Sequence, residues 1–196
     1  ARVLTHALNE LGVQPDAMAG YSVGEWSAMI SAGMYSGEQI DRFIRDFDPD
    51  ALDVPGLAFA AVGIGAHAAK LGAALAAHPG VTLSHDNSPN QCVVCGPQEQ
   101  IASLVRTLRA KAVLCQELPF RSGFHTPMLE PHLAPIREAS EGFDLYPPRV
   151  PVWSATTVAP FPSDEAAVRE IFLRHLLEPV RFRELVDAMY ADAVRV

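Results

Sequence analysis

Between Leu57 and Leu118 the apolar pattern switches period repeatedly, and no other stretch restricts the possible folds as tightly. Leu57 to Ile64 is a short apolar run with strand character. Ala66 to Ala77 is an alanine-rich helix closed by His78-Pro79-Gly80. Val81 to His85 reads as a strand, Asn87-Ser88-Pro89-Asn90 as a turn and Gln91 to Cys95 as a second strand. After the break at Gly96-Pro97, Pro97 to Arg109 has helical spacing and Ala112 to Leu118 returns to a strand. The order β-α-β-β-α-β in about sixty residues is the ferredoxin-like signature.

The flanks read differently. Arg2 to Leu11 is a helix ended by Gly12, and Pro15 to Gly20 is a short buried strand running into a turn. Val23 to Ala32 and Gly37 to Phe47 are helices, followed by a connector marked by Asp48-Pro49-Asp50 and Val54-Pro55-Gly56. Beyond Pro119 come an irregular segment around Arg121-Ser122-Gly123-Phe124, a helix over Pro131 to Gly142, and a proline-bounded strand over 147–154. Helices over Ala166 to Leu176 and Phe182 to Tyr190 follow, and Val194-Arg195-Val196 reads as a strand cut short. The expectation is an α/β fold. Residues 1–56 and 120–196 form a larger discontinuous subdomain, and residues 57–119 form a ferredoxin-like subdomain inserted into it.

The net charge of -8 argues against nucleic acid as a partner, which needs a basic face. No apolar run reaches the ~20 residues that span a bilayer. The chain opens on Ala1-Arg2-Val3-Leu4, without an initiating Met or a signal-peptide layout, as a fragment would. Cys92, Cys95 and Cys115 are an odd set, which implies reduced thiols in a cytoplasmic protein. Cys92 and Cys95 have C-x-x-C spacing but lie in a strand-like run, where they read as packed thiols. A redox pair opens a helix, and a zinc site needs further ligands, so no metal is expected.

Gly20-Tyr21-Ser22-Val23-Gly24 is a G-x-S-x-G run between a strand and a helix. That context presents a serine on a sharp strained turn, with the helix N-terminus behind it. Ser22 is thus the candidate nucleophile, and the Val23 N–H a candidate oxyanion donor. A serine needs a base. Of the seven histidines, His125 alone sits in an irregular segment of the kind that lines clefts, just after the insertion returns. His85 reads as a strand-end residue bordering that region, and His175 as a helix residue.

These residues carry a resemblance. Gly20-Tyr21-Ser22-Val23-Gly24-Glu25 resembles the GHSxGE motif of the malonyl-CoA:ACP transacylase family, which includes acyltransferase domains of modular polyketide and fatty acid synthases. Phe124-His125-Thr126-Pro127-Met128 resembles its second motif, and Glu178-Pro179-Val180-Arg181-Phe182 a stretch common in polyketide members. The resemblance covers nearly the whole chain. It implies an α/β-hydrolase-like core and a Ser22–His125 dyad that passes an acyl group from acyl-CoA to the phosphopantetheine thiol of an acyl carrier protein. No bound cofactor is needed, and the chain is expected to be part of a larger synthase. The base is oriented by a backbone carbonyl in the family, which the resemblance places at Ala155. Tyr21, Phe47, Phe124 and Asn87 are its candidate substrate contacts.

The departures matter. Tyr21 replaces the histidine that precedes the serine, and the family's N-terminal strand with its oxyanion glutamine is absent from this sequence. Malonyl members hold the substrate carboxylate with an arginine at the position of Phe47, and a phenylalanine cannot balance that charge. The expectation leans to a non-carboxylated acyl group. Phe124 points the other way, since malonyl-selecting members carry a bulky residue there. Two other readings use the same residues: a hydrolase that discards the acyl group to water, and a degenerate domain kept for carrier docking. Arg181 and Arg183 are candidates for a carrier or CoA phosphate contact, or simply solvated helix-end charges.

Overall fold

A computed structural model of the protein describes residues 2–46, 53–119, 122–192 and 194. Contacts divide the chain into two units, Ala1–Phe47 with Ala134–Leu173 and Glu184–Val196, and Asp48–Leu133 with Arg174–Arg183. Both are mixtures of helix and strand, and the α/β expectation holds.

In the first unit, α1 (Arg2–Glu10) leads to β1 (Met18–Ala19), α2 (Val23–Ser31) and α3 (Gly37–Asp46). After the second unit come α6 (Ala134–Glu141), β6 (Val152–Ser154), β7 (Ala159–Pro160), α7 (Glu165–Leu177) and α8 (Phe182–Ala191). The last turn of α7 belongs to the second unit. β1 pairs parallel with β6, Met18 opposite Val152 and Ala19 opposite Trp153, and β7 pairs antiparallel with β6. α1 and α2 end as their glycines foretell. Gly12 (φ 75°) and Gly33 (φ 87°) take the left-handed conformation. Val13 N–H then reaches Leu8 carbonyl, and Met34 N–H reaches Met29 carbonyl, both at 2.9 Å.

The core of this unit is Met29, Met34, Ile40, Val152, Val168 and Ile171. Trp26 stacks on Phe172 with ring centroids 5.0 Å apart. Arg169 reaches the carbonyls of Ser140 and Phe143 at the end of α6, where helix carbonyls lack internal partners. Among the described residues β1 is an edge strand. A cleft of about 400 Å³ lies against it, lined by Leu8, Val13, Met18 and Ala28 among others.

The second unit contains β2 (Leu57–Val62), α4 (Ala69–Ala76), β3 (Thr82–Ser88), β4 (Gln91–Pro97), α5 (Gln98–Arg109) and β5 (Cys115–Leu118). The sheet order is β3-β4-β2-β5, antiparallel throughout, as the β-α-β-β-α-β order requires. One face packs Ala60, Val62 and Val94 against Leu71 of α4 and Ile101, Leu104 and Leu108 of α5. The other face carries Phe59, Val93 and Cys95, with Met128 packed against them. Cys92 and Cys95 fall on opposite faces, and burial pushes both thiols up to about 12. They are packed apolar groups, as the strand reading expects.

This unit extends past 57–119 on both sides. The His125 segment and residues 174–183 pack with it. The cause lies on β3, whose pairing with β4 is irregular between Leu83 and His85 and again between Asp86 and Ser88. There the Val180 N–H donates to Ser84 carbonyl at 2.9 Å, and the Asp86 N–H donates to Val180 carbonyl at 2.8 Å. Arg183 Nε and Nη2 both donate to Asp86 Oδ2, at 3.1 and 2.9 Å. The returning segment is thereby stitched to the sheet edge. β3 also runs three residues beyond the expected strand end, so Asn87 is a strand residue rather than a turn residue.

Candidate active site

Ser22 caps the N-terminus of α2 with φ 53° and ψ -122°, outside the regions a serine ordinarily occupies. Two contacts close the turn: Gly24 N–H to Tyr21 carbonyl at 2.9 Å, and Glu25 N–H to Ser22 carbonyl at 2.8 Å. The two glycines of the motif differ in their reasons. A Cβ on Gly20 would lie 1.9 Å from the Gly24 carbonyl carbon, so only glycine fits there. A Cβ on Gly24 would meet nothing within 4 Å. Val23 is the first residue of α2 and 68 % exposed, and a first-turn N–H has no acceptor within its own helix. That N–H and the helix's positive end are suited to an oxyanion.

Behind Ser22 lies a buried carboxylate. Glu25, 1 % exposed, accepts from Ser154 Oγ at 2.8 Å on one oxygen and from Ala155 N–H at 2.9 Å on the other. Burial raises its carboxyl to about 7 against the pull of these two donors.

His125 is 3 % exposed and also in the left-handed region, φ 60°. Two carbonyls at the end of α7 hold it. Its backbone N–H donates to Leu176 carbonyl at 2.7 Å, and its Nδ1 lies 2.8 Å from His175 carbonyl. A carbonyl can only accept, so Nδ1 carries the hydrogen and Nε2 keeps its lone pair, the tautomer a general base needs. These carbonyls lack partners within the helix, and a helix C-terminus favours positive charge. A helix-end carbonyl is thus the acceptor at Nδ1. Burial holds the imidazole down at about 4, opposed by the backbone bonds to His175 and Glu178, so it is neutral at physiological pH.

Two imidazoles flank His125 edge-on, His85 at 4.8 Å and His175 at 5.0 Å between ring centroids. Burial first, and His125 second, lower His85 to about 3. His85 therefore places an uncharged ring beside His125. Phe124 lies next to it, and its carbonyl accepts from Ser84 Oγ at 3.2 Å. Thr126 caps the 3-10 helix Pro127–His132 by accepting from Met128 N–H, and its hydroxyl donates to Gly123 carbonyl at 2.8 Å.

The profile of the acyl transferase domain family matches residues 3–196. The chain belongs to that family. This acyltransferase domain is 32 % identical over 190 residues to one of the phenolphthiocerol/phthiocerol polyketide synthase subunits of Mycobacterium tuberculosis, covering 96 % of the chain and 10 % of that protein. Polyketide synthase GfsB of Streptomyces halstedii is 30 % identical over 186 residues, 93 % of the chain and 3 % of that protein. The domain therefore spans a tenth or less of the length of these synthases. Among solved structures, the acyl-carrier-protein S-malonyltransferase of Burkholderia pseudomallei is 28 % identical at a TM-score of 0.86, covering 96 % of this chain and 64 % of that one. The acyltransferase domain from the second module of the salinomycin polyketide synthase is 27 % identical at 0.81, covering 95 % and 44 %. The fold is accordingly an α/β-hydrolase-like core with a ferredoxin-like subdomain.

Within the acyltransferase domain, Tyr21, Ser22, Val23 and Ala155 lie in the first unit, and Asn87, Phe124 and His125 in the second. Phe47 lies outside the described residues. Beside the Ala155 expectation stands a different acceptor at His125 Nδ1, the His175 carbonyl at the end of α7, and the Ala155 N–H donates to Glu25. Tyr21 is 40 % exposed beside Ser22. Asn87 Nδ2 donates to Gln91 Oε1 at 3.1 Å, and its Oδ1 is buried without a hydrogen-bond partner among the described residues. Arg183 Nε and Nη2 both donate to Asp86 Oδ2. Sequence reasoning passed over His175 because its contribution is a carbonyl, which residue type does not announce.

Proposed function

We propose that Ser22 attacks the thioester carbonyl of an acyl-CoA and carries the acyl group to the phosphopantetheine thiol of an acyl carrier protein. The observation that carries this reading is the strained Ser22 at the N-terminus of α2, backed by the Nδ1-protonated, neutral His125. His125 Nε2 accepts the serine proton as the new C–O bond forms, and the Val23 N–H stabilises the oxyanion. The C–S bond then breaks, and the proton goes to the departing CoA thiolate. In the second half the carrier thiol loses its proton to His125 and attacks the acyl-serine, and Ser22 leaves with the proton returned. A carrier is favoured by the likeness to a malonyl-transacylase solved with a type II polyketide synthase acyl carrier protein, 26 % identical at a TM-score of 0.85. Membership in a larger synthase is favoured by the polyketide synthase relatives.

For the acyl group, Phe47 argues for a non-carboxylated chain, because an apolar residue leaves a malonyl carboxylate unbalanced. Malonyl is the second reading, favoured by Phe124 and by the malonyltransferase names among the solved relatives. A competition between acetyl-, propionyl- and malonyl-CoA separates them, read as intact mass of the protein and then of a carrier. Acetyl or propionyl is expected to dominate both adducts. Preferential malonyl labelling would refute the Phe47 argument and leave the acyl-serine intact. Labelling with release to water and none to the carrier would favour the hydrolase.

A further inference from the structure

We propose that Glu25 is a positioning residue for acyl transfer, holding Ser22 and the Val23 N–H in their reactive arrangement through Ser154 and Ala155. The inference rests on the reading of Ser22 as the nucleophile. Its ground is a closed circuit of contacts around the strained turn. β1 leads straight into the elbow and is paired with β6 before it, Ala19 opposite Trp153. After the elbow, the first turn of α2 returns to the end of the same β6 through Glu25. Ser154 Oγ and Ala155 N–H both donate to its carboxylate, and Thr156 N–H donates to Ser154 Oγ at 3.1 Å. Two consecutive residues are thus held directly by one side chain, and a third through the Ser154 hydroxyl. The turn is fixed at both ends, so Ser22 cannot relax from its positive φ without breaking one of the two closures.

The placement is unusual for a helix start. A serine N-cap with glutamate three residues on is the pattern of a capping box, in which the two bond reciprocally to the helix's first N–H groups. Here Ser22 makes no side-chain cap to α2, and both Glu25 oxygens accept from residues at the end of β6. Burying a carboxyl group is also a costly way to hold two strands of structure together where packing alone would serve. Such an arrangement suits a site that needs its backbone N–H groups fixed to within a fraction of an ångström.

The test compares Glu25→Ala, Glu25→Gln and Ser154→Ala in the full protein that carries this chain. Two rates are read: acylation by acyl-CoA, and labelling of Ser22 by a small fluorophosphonate, which needs the elbow but no CoA or carrier recognition. Glu25→Ala is expected to lower kcat and fluorophosphonate labelling about 100-fold, with KM for acyl-CoA kept within about threefold. Glu25→Gln should recover to within about tenfold of the parent, since its carbonyl accepts from Ala155 and its amide donates to Ser154. Parent rates in folded Glu25→Ala would overturn the proposal, as would losses that track only the folded fraction. Should Glu25→Ala not fold, Ser154→Ala decides: a fall in kcat at constant KM supports the proposal, and a parent rate overturns it. If the parent labels with fluorophosphonate yet takes no acyl group, the functional reading fails while the Glu25 comparison still stands.

Discussion

Ser22→Ala should fold like the parent and form no acyl adduct, with transfer to a carrier falling at least ~10⁴-fold. The mechanism requires a covalent intermediate, and an alanine offers no atom to hold one. Stability should change little, because the strain at this position is in the backbone: alanine at φ 53° meets the same clash as serine. Retention of measurable transfer, or of a stable adduct, would place the acyl group elsewhere. Unchanged melting with complete loss of labelling is therefore the expected pair of results.

His125→Ala should cost about 10² to 10⁴ in the rate of acylation, the range a general base supplies. In the proposed mechanism Ser22 and His125 act as one unit, so Ser22→Ala/His125→Ala should be no slower than Ser22→Ala alone. The pH dependence gives a sharper reading. The base works when neutral, and burial lowers it to about 4. The acylation kcat/KM should stay flat as pH falls from neutrality through 6.5, the value of an ordinary imidazole, and decline only near 4. Stability runs in the same direction. The folded protein resists the proton that the unfolded chain accepts, so this contribution is present above 6.5 and lost as pH falls toward 4. A rate that titrates near 6.5 would show that His125 is solvated in the working enzyme.

Much of this arrangement could be read before any coordinates. The ferredoxin-like order was legible because most of its strands and helices are bounded by a Pro or Gly signal, as at His78-Pro79-Gly80 and Gly96-Pro97, the Ala110-Lys111-Ala112 junction excepted. The elbow was legible because Gly20 is dictated by local sterics. Less visible were the elements held by very few residues. β1 has two residues and β7 two, too short for any periodicity, and both exist only through β6. The attachment of 174–183 to β3 rests on the backbone of Ser84, Asp86 and Val180, and only the Asp86–Arg183 pair leaves a trace in residue type. The same holds at the base. His125 stood out by its setting, but the His175 carbonyl that fixes its tautomer could belong to any residue. His85 came next to it through a sheet irregularity that spacing does not reveal. Glu25 was visible as part of a motif, yet its task required the position of β6.

The most direct test of the central claim is to locate the acyl group after a brief reaction with acyl-CoA, quenched in acid and digested with trypsin. Residues 3–42 form one tryptic peptide, since no Lys or Arg interrupts them. Fragment ions should place the acyl mass on Ser22 and not on Ser27, Ser31 or Ser36. An acyl group on any of those serines, or on Cys92, Cys95 or Cys115, would contradict the account.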